Sequence, residues 1–184
     1  MTRMSKKVCL IGDFAVGKTS LVRRFIYDMF DDKYLSTIGV KVSRKSVYLP
    51  RITGLGQAPI TELAMMLWDL AGSEEFTQVR ASYLRGTAGA VLVCDLTRPE
   101  TLDSLPDYMN DLFSVSPGAQ IILAANKDDL VDQRQVEQAQ LESVAAKLGV
   151  PYYLTSAKTG TQVESLFNHL GQLLIDAGAQ ASAT

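Results

Sequence analysis

The chain has 184 residues, 47% hydrophobic and 21% charged, with 18 Lys+Arg against 20 Asp+Glu for a net charge of −2. That length fits one domain able to bury its own core, and the composition excludes a disordered, collagenous or coiled-coil chain. The charge balance lacks the basic surplus of a dedicated nucleic-acid binder, so no nucleic-acid partner is expected.

The first element is Lys7–Ile11, a short unbroken apolar run with the pattern of a parallel strand buried on both faces. The run is too short for a signal peptide, and no later stretch approaches the ~18 residues of a membrane span, so a soluble, cytoplasmic protein is expected. Cys9 lies in this strand and Cys94 in a later one, with no disulfide or zinc-ligand pattern around either. Gly12 and Gly17 then bracket a loop. Leu21, Val22, Phe25, Ile26 and Met29 mark one face of a helix that Asp31 and Asp32 end. Val40 to Leu49 alternates like a half-exposed strand, and Ile60 to Trp68 is a strand expected to pair antiparallel with it. Between them, Pro50–Pro59 is rich in turn residues and longer than the usual ~2–5 residues of a hairpin loop, which predicts an exposed extension.

From here strands and helices alternate. Gly89–Asp95 is a buried strand, and Pro99 opens a helix to about Val115 that Pro106 complicates. Gln120–Ala125 is another buried strand. Val136, Ala139, Val144, Ala145 and Leu148 mark a helix, with Gly149 placed as its C-terminal cap. Pro151–Leu154 is a last short strand, and Val163, Leu166, Phe167, Leu170 and Leu174 mark the final helix. The small, polar Gly178–Thr184 reads as a frayed tail, giving a domain over residues 1–177 and a tail over 178–184. The expected fold is α/β: a doubly wound, mostly parallel six-stranded sheet with one antiparallel edge strand. Ligands bind such sheets at the carboxyl ends of the strands, so the loops after strands carry the chemistry.

After the first strand, Gly12-Asp13-Phe14-Ala15-Val16-Gly17-Lys18-Thr19 fits G-x-x-x-x-G-K-[ST], with Ser20 next. Glycines let backbone N–H groups converge on phosphate oxygens, Lys18 reaches the β- and γ-phosphates, and the Thr19 hydroxyl serves Mg²⁺. The following helix adds its positive N-terminal end. This loop alone leaves ATP and GTP open, and with them a small nucleotide kinase.

Three later loops narrow the choice. In Trp68-Asp69-Leu70-Ala71-Gly72, Asp69 is placed to hold Mg²⁺ and Gly72 to offer a bare N–H to a γ-phosphate. In Asn126-Lys127-Asp128-Asp129, Asp129 can accept from the guanine N1–H and exocyclic amine, a donor pair that adenine lacks. The stem of Lys127 can lie on the base, and Asn126 can tie the loops together. In Thr155-Ser156-Ala157-Lys158, the Ala157 N–H can donate to guanine O6. Each loop alone has a plain reading as a solvated turn. A nucleotide kinase would not need the last two.

All four motifs, in this order and each after a strand, resemble the Ras-like small GTPase superfamily from about Val8 to Ile175. Ser36-Thr37-Ile38-Gly39-Val40 and Arg134-Gln135-Val136 look most like its Rab branch. The resemblance implies a molecular switch that binds GTP or GDP with Mg²⁺ and hydrolyses GTP. By it, Phe30 flanks the guanine opposite Lys127, Tyr34 covers the phosphates, and Thr37 joins Thr19 and Asp69 around the metal. Ser156 and Lys158 fall in the base-binding loop, and Lys18, Thr37, Gly72 and Ser73 at the catalytic end. The implied partners are effectors, an exchange factor and a GTPase-activating protein at the two switches, switch I around Thr37 and switch II from Leu70 to about Arg85, on a monomer or weak oligomer.

Three departures from the family bear on activity. Ser73 stands where the family has the Gln that orients the attacking water. Phe14 stands at a phosphate-loop position usually held by a small residue, and is expected to crowd an incoming arginine finger. No Cys follows Cys94 and residue 2 is Thr, so a family-type lipid anchor is not expected. Ser73 and Phe14 leave open a GTP-binding interaction module with negligible hydrolysis.

Overall fold

The computed structural model describes residues 2–33, 37–50, 59–72 and 77–181. Six strands, β1 (Thr2–Ile11), β2 (Val40–Pro50), β3 (Ile60–Leu70), β4 (Gly89–Asp95), β5 (Gln120–Asn126) and β6 (Tyr152–Thr155), form one sheet in the order β2-β3-β1-β4-β5-β6. β2 runs antiparallel to β3, from Val40 opposite Leu70 to Pro50 opposite Ile60. Every other pairing is parallel. The expected fold class, with its antiparallel edge strand, is what the chain adopts.

The unbroken apolar runs follow from covering the sheet on both faces. Val8 and Leu10 of β1, Val91 and Val93 of β4, and Ile122 and Ala124 of β5 meet one core. There they pack on Leu21 and Phe25 of α1 (Lys18–Tyr27) and on Leu166, Phe167 and Leu170 of α6 (Val163–Ala181). The alternate residues Cys9 and Ile11, Ala90, Leu92 and Cys94, and Leu123 and Ala125 meet the other. That core is closed by α2 (Thr77–Leu84), α3 (Glu100–Asp103), α4 (Leu105–Val115) and α5 (Gln138–Leu148), through residues such as Leu84, Leu102, Leu112 and Leu141. Each large apolar side chain so buried contributes about 1.5–3 kcal/mol. The rings of Phe25 and Phe167 stack with centroids 4.1 Å apart and lock α1 to α6. Both cysteines are free and buried.

Several boundaries differ from the sequence reading. β1 begins at Thr2, because its polar first half pairs with Thr61–Met66 of β3. α1 stops at Tyr27: Asp28 turns left-handed (φ 53°) and its N–H caps the Arg24 carbonyl. Met29 therefore falls past the helix and is exposed rather than on its buried face. The helix from Pro99 is two helices, and Pro106 sits in the first turn of α4, where its missing N–H would have no partner. Gly149 caps α5 with φ 66° as expected. α6 continues through Gly178 to Ala181, so these residues extend the helix. Of the Pro50–Pro59 segment, 51–58 lie outside the described residues.

β1 has β3 on one side and β4 on the other. The order in which successive strands are added to the sheet reverses there, at the crevice where such folds place ligands. The loop after β1 opens into that crevice.

Candidate functional site

A cavity of about 360 Å³ lies among the loops that follow the strands. Phe14, Ala15, Gly17, Lys18, Thr19 and Ser20 line it after β1, and Leu70 and Gly72 at the end of β3. Asn126, Lys127 and Asp129 enter after β5, Ala157 and Lys158 after β6, and Phe30 and Thr37 from the segment between α1 and β2. Gly12, Asp13, Val16, Asp69 and Ser156 stand behind this lining and hold it. Tyr34 and Ser73 lie outside the described residues.

The phosphate loop needs its glycines. A Cβ on Gly12 (φ 149°) would sit 2.2 Å from the Val93 carbonyl oxygen, and one on Gly17 (φ 104°) 2.3 Å from Asn126 Nδ2. Lys18 is buried, and its Nζ donates to the carbonyls of Gly12 and Asp13, both at 2.7 Å. Its ammonium thus spans the loop from inside. α1 starts at Lys18 without a side-chain cap on its first turn. Helix-terminal N–H groups, the helix dipole and an inward ammonium together suit a polyanion.

A second corner gathers hydroxyls around one acid. Thr19 Oγ1 donates to Asp69 Oδ2 at 2.5 Å and lies 2.9 Å from Thr37 Oγ1. Asp69 is buried, and its other oxygen, Oδ1, has no hydrogen-bond partner among the described residues. Burial raises its carboxyl above the ordinary value, against the lowering pull of the Thr19 hydrogen bond and of Lys18 and Lys41. Among the described residues, no group of three or more His, Cys, Asp or Glu is placed to hold a metal ion. One carboxylate with two hydroxyls does not suit Zn²⁺ or Ca²⁺, but it does suit Mg²⁺, which takes few protein ligands and completes its shell with phosphates and water. The β2–β3 ladder sets this corner: it ends at the Val40–Leu70 pair, and the Ala71 N–H donates to the Gly39 carbonyl at 3.0 Å. Thr37 and Gly72 therefore leave the sheet side by side. A Cβ on Gly72 would lie 2.6 Å from Lys18 Nζ, so its backbone stands over the phosphate loop.

At the far end, Asn126 is a knot. Its Nδ2 donates to the Val16 carbonyl at 2.9 Å. Its Oδ1 accepts from Thr155 Oγ1 at 3.2 Å and from the Ala157 N–H at 3.3 Å. The Ala157 donor expected to face a base thus makes a long bond to Asn126. Ser156 Oγ donates to Asp129 Oδ1 at 2.6 Å. The residue expected in a base-binding role thus orients the acid. Phe30 and Phe14 are partly exposed on the lining, Phe14 at 45%.

Some positioning residues carry no local signal. Arg24, six residues after Lys18, reaches across from α1 to the carbonyls of Ala157 (2.8 Å) and Lys158 (2.6 Å). Ser104 and Tyr108 donate to the two oxygens of Asp13 at 2.7 and 2.8 Å. Arg23, Asp31, Asp32, Lys33 and Leu130 also line the cavity. Only a rule linking distant positions could have found them.

His169, the single histidine of the chain, lies on α6 with Nδ1 3.0 Å from the Tyr153 hydroxyl. Trp68 is half-buried beneath the Lys7 ammonium, which lies 4.0 Å from its ring centroid. No described helix is long and apolar enough to cross a membrane.

The family model described as Ras family matches residues 7–176. The Ras-related protein Rab-13 of Canis lupus familiaris is 33% identical over 178 residues, covering 96% of this chain and 83% of that protein. With the Gly12–Thr19 loop, the Thr19–Thr37–Asp69 corner and the Asn126–Asp129 and Ser156–Lys158 loops gathered around one cavity, the chain belongs to the Ras family of small GTP-binding proteins, in its Rab-like branch.

Proposed function

We propose that the cavity binds GTP and GDP with Mg²⁺, that it hydrolyses GTP slowly, and that the segments at Thr37 and Gly72 report which nucleotide is present. The observation that carries this reading is the meeting of Thr19, Thr37 and the half-satisfied Asp69 at one end of a cavity whose other end holds Asp129.

In this mechanism Lys18 and the N–H groups of the phosphate loop hold the phosphates, and Thr19, Thr37 and Asp69 hold the metal. Held there, Mg²⁺ would supply positive charge against the negative charge that develops on the transferring phosphoryl group. Asp129 faces the N1–H and exocyclic amine of guanine. A carboxylate has about four lone-pair sites, so the one used by Ser156 leaves room for both. Ala157 supplies an N–H toward O6 by sharing or releasing its long bond to Asn126. Phe30 and the Lys127 stem enclose the base, and Tyr34 covers the phosphates. Loss of the γ-phosphate removes what draws Thr37 and Gly72 inward, so effectors, an exchange factor and a GTPase-activating protein read these two segments. We assign the G domain to residues 1–177, with the last turn of α6 extending it to Ala181, and its site of action to the cytoplasm.

Ser73 in place of the water-orienting amide supports slow turnover, on the order of 10⁻⁴ s⁻¹ or below. Phe14 on the cavity lining favours a second reading, an interaction module that turns GTP over negligibly. Titration with GTP, GDP and ATP in Mg²⁺ tests binding: both guanine nucleotides bind, and ATP binds at least about 100-fold more weakly. Equal affinity for ATP would favour a nucleotide kinase. Single-turnover hydrolysis of wild type, Ser73→Gln and Phe14→Gly then tests the chemistry. Ser73→Gln accelerates it, and a wild-type rate of about 10⁻² s⁻¹ or more would refute the role given to Ser73.

A further inference from the structure

Asp95 is the last residue of β4, paired in register with Asn126 of β5, and it does not line the cavity. Its side chain is only 1% exposed, yet it gathers four hydrogen bonds. The backbone N–H and hydroxyl of Thr97 donate to Oδ1 at 2.9 and 2.7 Å. Oδ2 takes Lys127 Nζ at 2.6 Å and Arg98 Nε at 3.0 Å. The other arm of Arg98, Nη2, donates to the Phe14 carbonyl of the phosphate loop at 2.8 Å. Burial works against the charged carboxylate, but the bonds from Lys127 and Thr97 outweigh it and hold its acidity below the ordinary carboxylate value.

Satisfaction of a buried acid does not by itself account for this pattern. A buried ion pair is seldom more stabilising than apolar packing of the same volume, and the neighbours of Asp95 on β4 are apolar. What the arrangement does is direct. Lys127 sits in a left-handed backbone conformation (φ 68°), with a long stem that would otherwise sample many rotamers. The bond to Asp95 ties down the far end of that stem, which lines the cavity. Freedom that a nucleotide would have to remove on binding is already gone, which is preorganisation.

We propose that Asp95 is a positioning residue that sets the lifetime of the bound nucleotide by holding the Lys127 stem in place for the base, while Arg98 shares the same carboxylate and steadies the phosphate loop at Phe14. Asp95 touches no nucleotide itself. The inference rests on the guanine-nucleotide reading of the cavity and assigns that site a residue outside its motifs.

The test is release of a fluorescent GDP from wild type, Asp95→Asn, Lys127→Met and the double variant, chased with excess GDP. Lys127→Met keeps an apolar stem and loses the ammonium. Each single substitution accelerates release about ten-fold or more, since losses of this kind appear mainly in the dissociation rate. In the Lys127→Met background, Asp95→Asn adds less than about three-fold, because the group it acts through has gone. A factor equal in both backgrounds would mean that Asp95 acts on the fold at large, and would overturn the proposal. So would release at the wild-type rate in Lys127→Met, which decides the matter alone if Asp95→Asn does not fold. Wild type that binds no GDP would instead overturn the reading of the cavity itself.

Discussion

The two ends of the cavity are built on opposite plans. At the end we propose for the base, the side chains are tied to protein: Asn126 to three partners, Asp129 to Ser156, Lys127 to Asp95, and the Ala157–Lys158 backbone to Arg24. At the end we propose for the metal, three side chains share two contacts, and Asp69 Oδ1 is buried with none among the described residues. A satisfied polar network in a low-dielectric setting is rigid, whereas an unsatisfied buried acceptor is a standing penalty that a ligand can relieve. The base end is therefore suited to fixed recognition. The metal end, joined to the two segments leaving the β2–β3 ladder, is suited to change with its ligand.

The largest expected effect breaks the fixed end. Asp129→Asn replaces one acceptor oxygen with a donor facing the donors of guanine and also alters the Ser156 bond. We expect GTP and GDP affinity to fall together by about 3 kcal/mol, the order for a mispaired buried polar site, as read by calorimetry. Unchanged affinity would show that the acid does not meet the base.

Next comes the changeable end. Thr19→Ala removes the hydroxyl that lies between Asp69 and Thr37. GTP affinity in Mg²⁺ should fall by about 1–3 kcal/mol, and that of GDP by less, because only GTP offers γ-oxygens to the metal. Repeating both titrations in excess EDTA should bring the variant and wild type together. Equal losses for the two nucleotides would remove the distinction between the ends.

A smaller effect sharpens the comparison. Arg24→Ala leaves every motif intact and frees two carbonyls of the base loop. Charge-assisted hydrogen bonds of this kind contribute about 1.5–3 kcal/mol, less what water recovers, so nucleotide release should quicken about ten-fold. The difference in Mg²⁺ dependence between GTP and GDP should stay the same, since the clamp lies at the other end.

The smallest effect concerns pH. The Asp95 carboxyl titrates below its ordinary value of 3.8 in the folded chain, so it contributes stability above that pH that is lost as pH falls through its folded value. Urea midpoints measured from pH 6 down to pH 3 should decline more steeply for wild type than for Asp95→Asn. Parallel declines would show that the carboxylate is not held in its charged form.

What could be read from the chain alone was whatever is contiguous in it. The phosphate loop, the Asp69–Gly72 turn, the Asn126–Asp129 run and the Ser156–Lys158 turn each pack their chemistry into a few adjacent residues after a strand. Backbone amides and neighbouring side chains are already local, so spacing suffices to recognise them. The doubly buried strands were equally plain, because covering a parallel sheet on both faces forces unbroken apolar runs such as Val8–Ile11 and Ala90–Cys94. Even here local pattern misplaced the end of α1, where the capping bond at Asp28 ended the helix ahead of the acidic pair. Tertiary structure decided the supports. Arg24 meets residues 133 and 134 positions away, and Ser104 and Tyr108 meet Asp13 from 91 and 95 positions away. Asp95 becomes a hub only because β4 and β5 pair in a register that sets it beside Asn126. A side-chain hydrogen bond depends on separations of a few tenths of an ångström between atoms remote in the chain, and only the packed sheet and helices determine those separations.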